Sequence, residues 1–195
     1  MTAKRDLTRD DLISMEAFAG ERAERRSALL PKKKLRRIAL GPYATCYFES
    51  YETMWLQVHE MLLIEKGGEA QIEDELSAYN PMVPKGNELV ATVMFEIDDP
   101  DRRAKVLRTL GGVDEHIFVQ VGDEKLYAVP EQEVERTTPD GKTSSVHFLH
   151  FPLTPSAVTA FRNGNVSCMV GSDHANYGHI AVLSEESRNE LAGDL

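Results

Sequence analysis

The sequence has few cysteines, a deficit of positive charge and no long hydrophobic run. Its 195 residues include two cysteines, Cys46 and Cys168, too few for a disulfide framework or a complete cysteine metal site. Both lie in apolar runs, where a free cysteine behaves as a small hydrophobic residue. We therefore expect a reducing compartment, the cytoplasm. No apolar run approaches the roughly 18 residues that a membrane-spanning helix needs, so we expect no membrane association.

The common catalytic and nucleotide-binding motifs are also missing. The patterns GxGxxG, GxxxxGK[ST], HExxH, GxSxG and CxxC do not occur. A serine–histidine–acid triad cannot be nominated from residue spacing alone. The sequence therefore assigns no reaction and leaves open whether the protein is an enzyme.

The net charge of −10 conceals an asymmetry along the chain. Residues 1–37 contain eleven Lys or Arg residues and six Asp or Glu residues, so this part is basic and the remainder is strongly acidic. A basic segment beside an acidic body can pair with that body or dock an acidic partner. Nucleic-acid binding is disfavoured and kept as a remote alternative, because the acidic body repels phosphates and "PKKKLRR" has no interleaved aromatic residues.

The hydrophobic periodicity predicts a single domain over residues 1–195, with a basic N-terminal helical segment at about residues 1–33. We expect one helix or a broken pair over residues 8–30, with Thr8 as the cap, Gly20 as the candidate break and Pro31 as the stop. Further on, strands with period-two alternation are joined by tight turns, as in "HIFVQVGDEKLYAV". Hairpins dominate over strand–helix–strand crossovers, which favours an α+β fold with a largely antiparallel sheet, a buried central helix and peripheral helices.

The predicted central helix, "YETMWLQVHEMLLIE" at residues 51–65, carries carboxylates in an apolar setting. On a helical projection Glu65 falls within its most apolar stripe, and Glu60 has little room to face solvent. Buried carboxylates need partners, and Arg36 and Arg37 are candidates for a structural ion pair, which we favour over a binding site. For Glu65 a frayed last turn is the other reading.

Six histidines offer weaker evidence for a metal site. His147 and His150 lie three apart in a predicted strand and so point to opposite faces. The polar segment "SDHANYGH", at residues 172–179, reads as a loop that could direct Asp173 and His174 towards one divalent metal ion. Ordinary turn chemistry explains the same residues. If a metal site exists, we predict Glu65 and His174 as ligands.

Several of these segments resemble a bacterial family of uncharacterised proteins of roughly this length, a domain of unknown function. The segments are "RRIALGPYATCYFES", "ELSAYNPMVPKGNELVATVMFEI" and "DHANYGHIAVLSEESRNELAGDL", and the resemblance extends from about residue 35 onward. It implies genes encoded near rubrerythrin-like and iron–sulfur oxidoreductase-like proteins, and thus a link to redox or oxidative-stress metabolism. It carries over no catalytic residue; the matching positions are Gln57, Glu60, Glu65, Tyr79, Asn80, Glu88 and His174.

Two hypotheses follow from the sequence. The first is a cytoplasmic accessory protein that binds a small ligand or a protein partner in a redox pathway. The second is a metalloprotein or enzyme built around a Glu/His site. For either hypothesis the predicted ligand-binding residues are Gln57, Glu60, Glu65, Tyr79, Asn80 and His174.

Overall fold

The computed structural model describes residues 4–131 and 141–195 and confirms the predicted α+β class. Its helices are α1 (Met15–Leu35), α2 (Tyr51–Glu65), α3 (Glu69–Tyr79), α4 (Pro100–Arg108), α5 (Pro155–Asn163) and α6 (Glu185–Leu191). Its strands are β1 (Arg37–Leu40), β2 (Ala44–Phe48), β3 (Glu88–Phe95), β4 (Ile117–Val121), β5 (Glu124–Tyr127), β6 (Val129–Pro130), β7 (Val146–Pro152), β8 (Cys168–His174) and β9 (Tyr177–Val182). None of the helices in this part of the chain is long and apolar enough to cross a bilayer. That these elements form one domain over residues 1–195 stays a prediction.

The predicted N-terminal helix was wrong in its boundaries. Thr8 caps only a short 3-10 turn, and α1 begins after Ser14, whose hydroxyl accepts the backbone N–H of Ala17. The helix then continues through Gly20 and Pro31. Pro31 removes one backbone hydrogen bond, but α1 is held along its length by packing and ion pairs with α2. Tertiary contacts therefore override the local signals to break and stop.

Two antiparallel sheets contain all the strands in the described residues. One has the order β1-β2-β3-β7-β6 and the other the order β5-β4-β8-β9. Their inner faces share one hydrophobic core, which takes the alternate apolar residues of β3 together with residues of both sheets and the apolar faces of α4, α5 and α6. Both cysteines lie in this core as free thiols. Burial raises the pKa of Cys46 to about 12, so this cysteine is a packing residue.

The outer face of the five-stranded sheet is covered by α2 and α3. Val90 of β3 packs there against Val58 and Leu62 of α2 and Leu76 of α3. Helix α1 runs antiparallel to α2. Its ion pairs show this direction, since Arg22 pairs with Glu60 while Lys32 pairs with Glu52. The predicted buried central helix is therefore α2, which lies between α1 and the sheet.

The outer face of the four-stranded sheet is different, because no helix of residues 4–131 or 141–195 lies over it. Ile180 and Val182 of β9 are largely exposed there. Phe118 of β4 is buried beneath the side chain of Lys125, whose amine lies 3.9 Å from the ring centre. This face is shielded by its own long side chains and by no helix within the described residues.

Candidate functional site

A cavity of about 700 Å³ lies between the outer face of the five-stranded sheet and helices α2 and α3. Its apolar lining includes three methionines and a phenylalanine, and its polar lining comes from five different elements or connections. The lining residues are Glu49, Met54, Gln57, Ser77, Ala78, Tyr79, Pro81, Met82, Thr92, Met94, Glu131 and Phe148.

Local sequence rules place these side chains around one space. In β3 the alternate residues from Leu89 to Phe95 face the core, so Thr92 and Met94 must face the helices. On α2, Met54 and Gln57 are three residues apart and share one helix face. Helix α3 ends at Tyr79 because Asn80 precedes a proline, which disfavours further helix.

Two polar side chains in the cavity have unused hydrogen-bonding capacity. The amide nitrogen of Gln57 donates to the hydroxyl oxygen of Tyr79 at 3.4 Å, which is a long hydrogen bond. Within the described residues, the amide oxygen of Gln57 accepts no hydrogen bond and the Tyr79 hydroxyl donates none. An acceptor and a donor are therefore available to a molecule in this space.

Glu49 is fixed at the cavity wall by two hydroxyl groups. One of its carboxylate oxygens accepts a hydrogen bond from Thr53 and the other from Thr92, both at 2.7 Å. Thr53 belongs to α2 and Thr92 to β3, so this carboxylate joins the helix to the sheet. Its position is set before any ligand arrives.

A histidine between two carboxylates lies beside the cavity. The two ring nitrogens of His150 lie 3.0 Å from carboxylate oxygens of Glu88 and Glu131, respectively. Hydrogen bonding to Glu88, supported by the charges of both carboxylates, raises the pKa of His150 above its ordinary value. Because Glu131 also lines the cavity, it connects His150 to the rim of the site.

Of the predicted ligand-binding residues, the structure brings Gln57 and Tyr79 together in this cavity. Glu60 has a different role. Arg22 donates to both of its carboxylate oxygens at 2.8–3.1 Å, and this bonding lowers the pKa of Glu60. The structural ion pair favoured from sequence is present.

The partners predicted for that ion pair were wrong. Arg36 is buried and bonds Asp194 and Glu190. Arg37 reaches Glu96 at 3.5 Å. Arg22 and Glu60 are far apart in the sequence, so no local spacing rule identifies them as partners.

The expected burial of Glu65 was also wrong. It is the last residue of α2, is exposed, and accepts a hydrogen bond from Gln71. The following residue, Lys66, adopts a left-handed conformation that ends the helix. The apolar stripe on the helical projection therefore ends before Glu65 can pack inside, as the frayed-turn reading anticipates.

Asn80 holds the N-terminal segment in place. Its side-chain oxygen accepts the backbone N–H of Leu7 at 2.7 Å, and its nitrogen donates to the Leu7 carbonyl at 2.8 Å. The oxygen and the nitrogen of the Asn80 amide therefore both bond to the backbone of Leu7. This pairing assigns Asn80 a structural contact outside the cavity.

The prediction that the segment "SDHANYGH" forms a loop was wrong. The segment consists of the end of β8 and the start of β9, joined by a two-residue turn. Strand alternation sends Asp173 outwards, where it bonds Lys125, Tyr127 and His116. His174 points inwards and approaches the carbonyl oxygen of Gly111 at 3.2 Å. The two side chains therefore face opposite sides of the sheet.

The predicted metal ligands Glu65 and His174 do not meet. One ends α2 and the other ends β8, and they have separate hydrogen-bond partners. Over residues 4–131 and 141–195, no group of three or more His, Cys, Asp or Glu side chains is placed to hold a metal ion. The pairing of Glu65 with His174 therefore has no geometric support.

Residues 6–195 match the family described as "Protein of unknown function (DUF3501)". The chain belongs to the DUF3501 family. Its structure is similar to a crystal structure at 1.90 Å of a "novel protein of unknown function" from Burkholderia pseudomallei K96243, with a TM-score of 0.90 and 36% sequence identity over 100% of both chains. No curated protein matches the sequence.

The family match confirms the resemblance to uncharacterised bacterial proteins, while the predicted gene neighbourhood stays a prediction. In this DUF3501 chain, sequence reasoning found Gln57 and Tyr79 and missed the other ten lining residues, among them Glu49, Met82, Thr92, Glu131 and Phe148. A signal existed for Thr92, which lies on the polar face of an otherwise apolar strand. For Glu49 and Glu131, which come from connections far apart in the chain, the sequence offers no comparable signal.

Proposed function

We propose that this protein is an accessory ligand-binding protein that holds a small organic molecule between α2, α3 and the five-stranded sheet. The observation that carries the proposal is the 700 Å³ cavity in which Gln57 and Tyr79 present unused hydrogen-bonding groups. That volume lies within the range of about 300–1,000 Å³ that is typical of small-molecule sites.

The chemistry of the lining supports a partly apolar ligand. Met54, Met82 and Met94 have flexible, polarisable side chains that adapt to irregular shapes. Phe148 adds an aromatic surface. A ligand with a donor for the Gln57 oxygen and an acceptor for the Tyr79 hydroxyl would be oriented by these two groups, while the methionines would bury its apolar part.

The redox context rests on the family resemblance alone. We propose that ligand binding serves redox or oxidative-stress metabolism in the cytoplasm, together with a protein partner of that pathway. The thiols of this chain are poor candidates for the reactive groups, because the thiolate is the reactive form and burial raises the pKa values of both Cys46 and Cys168. The reactive chemistry would then belong to the ligand or the partner.

The alternative of a metalloprotein or enzyme with a Glu/His site has less support. Its predicted ligands Glu65 and His174 lie apart, and Glu60 is engaged by Arg22. A Glu/His contact exists at His150, but Glu88 and Glu131 approach opposite nitrogens of its ring. That arrangement suits hydrogen bonding and not joint coordination of one ion.

Blocking the cavity tests the ligand-binding proposal. Ala78 lines the cavity and is exposed, so Ala78→Trp should fill the space without disturbing the core. Ala19→Trp is the matched control, since Ala19 is exposed on α1 and does not line the cavity. Each protein is incubated with the small-molecule fraction of a bacterial lysate and examined by native mass spectrometry.

We expect a bound small molecule in the wild-type protein and in Ala19→Trp, and its loss in Ala78→Trp. Failure of the wild-type protein to retain any molecule would contradict the proposal. Equal retention by Ala78→Trp would place the ligand elsewhere and contradict it as well.

A further inference from the structure

A second groove, of about 580 Å³, lies between the exposed edges of α1 and α2. On α1 it is lined by Arg26, Leu30, Lys33 and Lys34, and on α2 by Thr53, Leu56, Gln57, Glu60, Met61 and Ile64. Both sets follow a spacing of three or four residues, so each is one face of a helix. Along α2 the groove is about 16 Å long, or three helical turns.

The charge of this groove is opposite to that of the chain as a whole. Four cations line it, Arg26, Lys33, Lys34 and Arg37, against the single carboxylate of Glu60. Arg22 and Arg26 already pair with that carboxylate, and Arg37 pairs with Glu96. Lys33 and Lys34 are exposed and have no acidic partner within the described residues. Since the whole chain carries a net charge of −10, these unpaired cations are not explained by a general excess of positive charge.

Two large apolar side chains accompany the cations. Leu30 of α1 is 62% exposed and Ile64 of α2 is 64% exposed, and both line the groove. Met61 lies between the two helices in the same groove. Apolar side chains flanked by lysines are typical of surfaces that bind an amphipathic helix with acidic flanks.

We propose that this groove docks an acidic amphipathic helix of a partner protein. The apolar face of that helix would contact Leu30, Met61 and Ile64, while its Asp or Glu residues would face Lys33 and Lys34. The length of the groove accommodates about three turns. This surface is distinct from the ligand cavity, although Gln57 borders both.

Other occupants fit the groove less well. A nucleic acid would meet a single aromatic side chain, Tyr47, and the exposed Leu30 and Ile64, which do not suit phosphates. A second copy could offer its own acidic helix α3, but the apolar residues Ile72 and Leu76 of that helix already belong to the apolar cluster beside α2. Neither alternative matches both the charge and the apolar contacts of the groove.

The test uses a fluorescein-labelled helical peptide of about four turns, made of Glu, Ala and Leu with leucines spaced three and four apart. A scrambled peptide of the same composition removes the apolar face. Fluorescence anisotropy at low ionic strength measures the binding of each peptide to the full chain. The variants are Lys33→Glu/Lys34→Glu and Leu30→Ser/Ile64→Ser. The control is Lys105→Glu/Arg108→Glu, which reverses two exposed charges on α4, outside the groove.

We expect the patterned peptide to bind more tightly than the scrambled one. Charge reversal at Lys33 and Lys34 should weaken binding by about tenfold or more, the serine variant should also weaken it, and the α4 control should bind as the wild-type protein does. Absence of binding by the wild-type protein, or equal affinities of Lys33→Glu/Lys34→Glu and the α4 control for the patterned peptide, would overturn the proposal. Displacement of the peptide by duplex DNA, or a homodimer that dissociates in Lys33→Glu/Lys34→Glu, would overturn it in favour of another occupant.

Discussion

The two sheets of this protein share one core on their inner faces and differ on their outer faces. On the five-stranded sheet Val90 is 0% exposed beneath α2 and α3, while on the four-stranded sheet Val182 is 67% exposed. The helices that cover the first sheet leave a cavity lined by Glu49 and Gln57. On the four-stranded sheet, called the bare sheet below, Asp173 is exposed to solvent and accepts hydrogen bonds from Lys125 and Tyr127. The helices that cover the five-stranded sheet therefore create the candidate site.

The largest expected difference in stability is between removing a buried cation, Arg36, and removing an exposed cation on the bare sheet, Lys125. Arg36 lies at the end of α1, buried, and its guanidinium bonds Asp194 and Glu190. Arg36→Ala would leave both carboxylates without their cation, so we expect the free energy of unfolding to fall by about 3–5 kcal/mol. Lys125→Ala breaks the Asp173 ion pair on the bare sheet and should have a much smaller effect, because exposed pairs contribute little. Urea denaturation of both variants makes the comparison, and similar losses would contradict it.

The next effect concerns apolar packing and uses the same substitution on each sheet. Val90→Ala removes buried surface beneath α2 and α3, and should lower the free energy of unfolding by about 2 kcal/mol. Val182→Ala removes exposed surface on β9 and should change it by less than about 0.5 kcal/mol. Thermal and urea unfolding measure both. Equal losses would mean that the bare face is covered in solution.

The smallest effect is a pH dependence located on the covered sheet. Hydrogen bonds with Glu88 and Glu131 raise the pKa of His150 in the folded protein above the ordinary value of about 6.5. A group with a raised folded pKa contributes stability that is fully present below its unfolded pKa and is lost as the pH rises through the folded pKa. Stability should therefore decline as the pH is raised above about 6.5, and less so in His150→Gln.

Titration upwards from neutral pH separates this effect from that of His59. Burial lowers the pKa of His59, so its contribution is present above the ordinary histidine pKa and is lost as the pH falls. Urea midpoints measured between pH 7 and pH 9 would isolate His150. A decline of equal slope in the wild-type protein and in His150→Gln would contradict the assignment.

Local rules predicted the elements that depend on short-range sequence. Ser50 caps α2, the residues of β3 alternate between the core and the helices, and the predicted Gly122-Asp123 turn joins β4 to β5. Each of these features is fixed by hydrogen bonds or side-chain contacts within a few residues. The antiparallel pairing of β4 with β5 follows from their short connection, whereas β3 pairs with β7 across a long one.

The errors came from contacts between distant parts of the chain. Helix α1 continues past Pro31 because α2 holds it, and Glu60 takes Arg22 as its partner because the two helices are antiparallel. Glu65 is exposed because α2 ends there, which a helical projection cannot show. Of the candidate site, the sequence predicted Gln57 and Tyr79, whereas the wall residues from other elements become visible only when the sheet and helices pack together.

The most direct test of the ligand cavity compares methionine side chains on the two sheets. Met54, Met82 and Met94 line the cavity, whereas Met169 lies on β8, in the sheet without a helical cover. In protein labelled with carbon-13 at the methionine methyl groups, NMR spectra would be followed during titration with the small-molecule fraction of a bacterial lysate. We predict that the signals of Met54, Met82 and Met94 shift while that of Met169 stays in place. Cavity methyl signals that stay in place throughout, or a shift confined to Met169, would contradict the assignment of the covered face as the binding site.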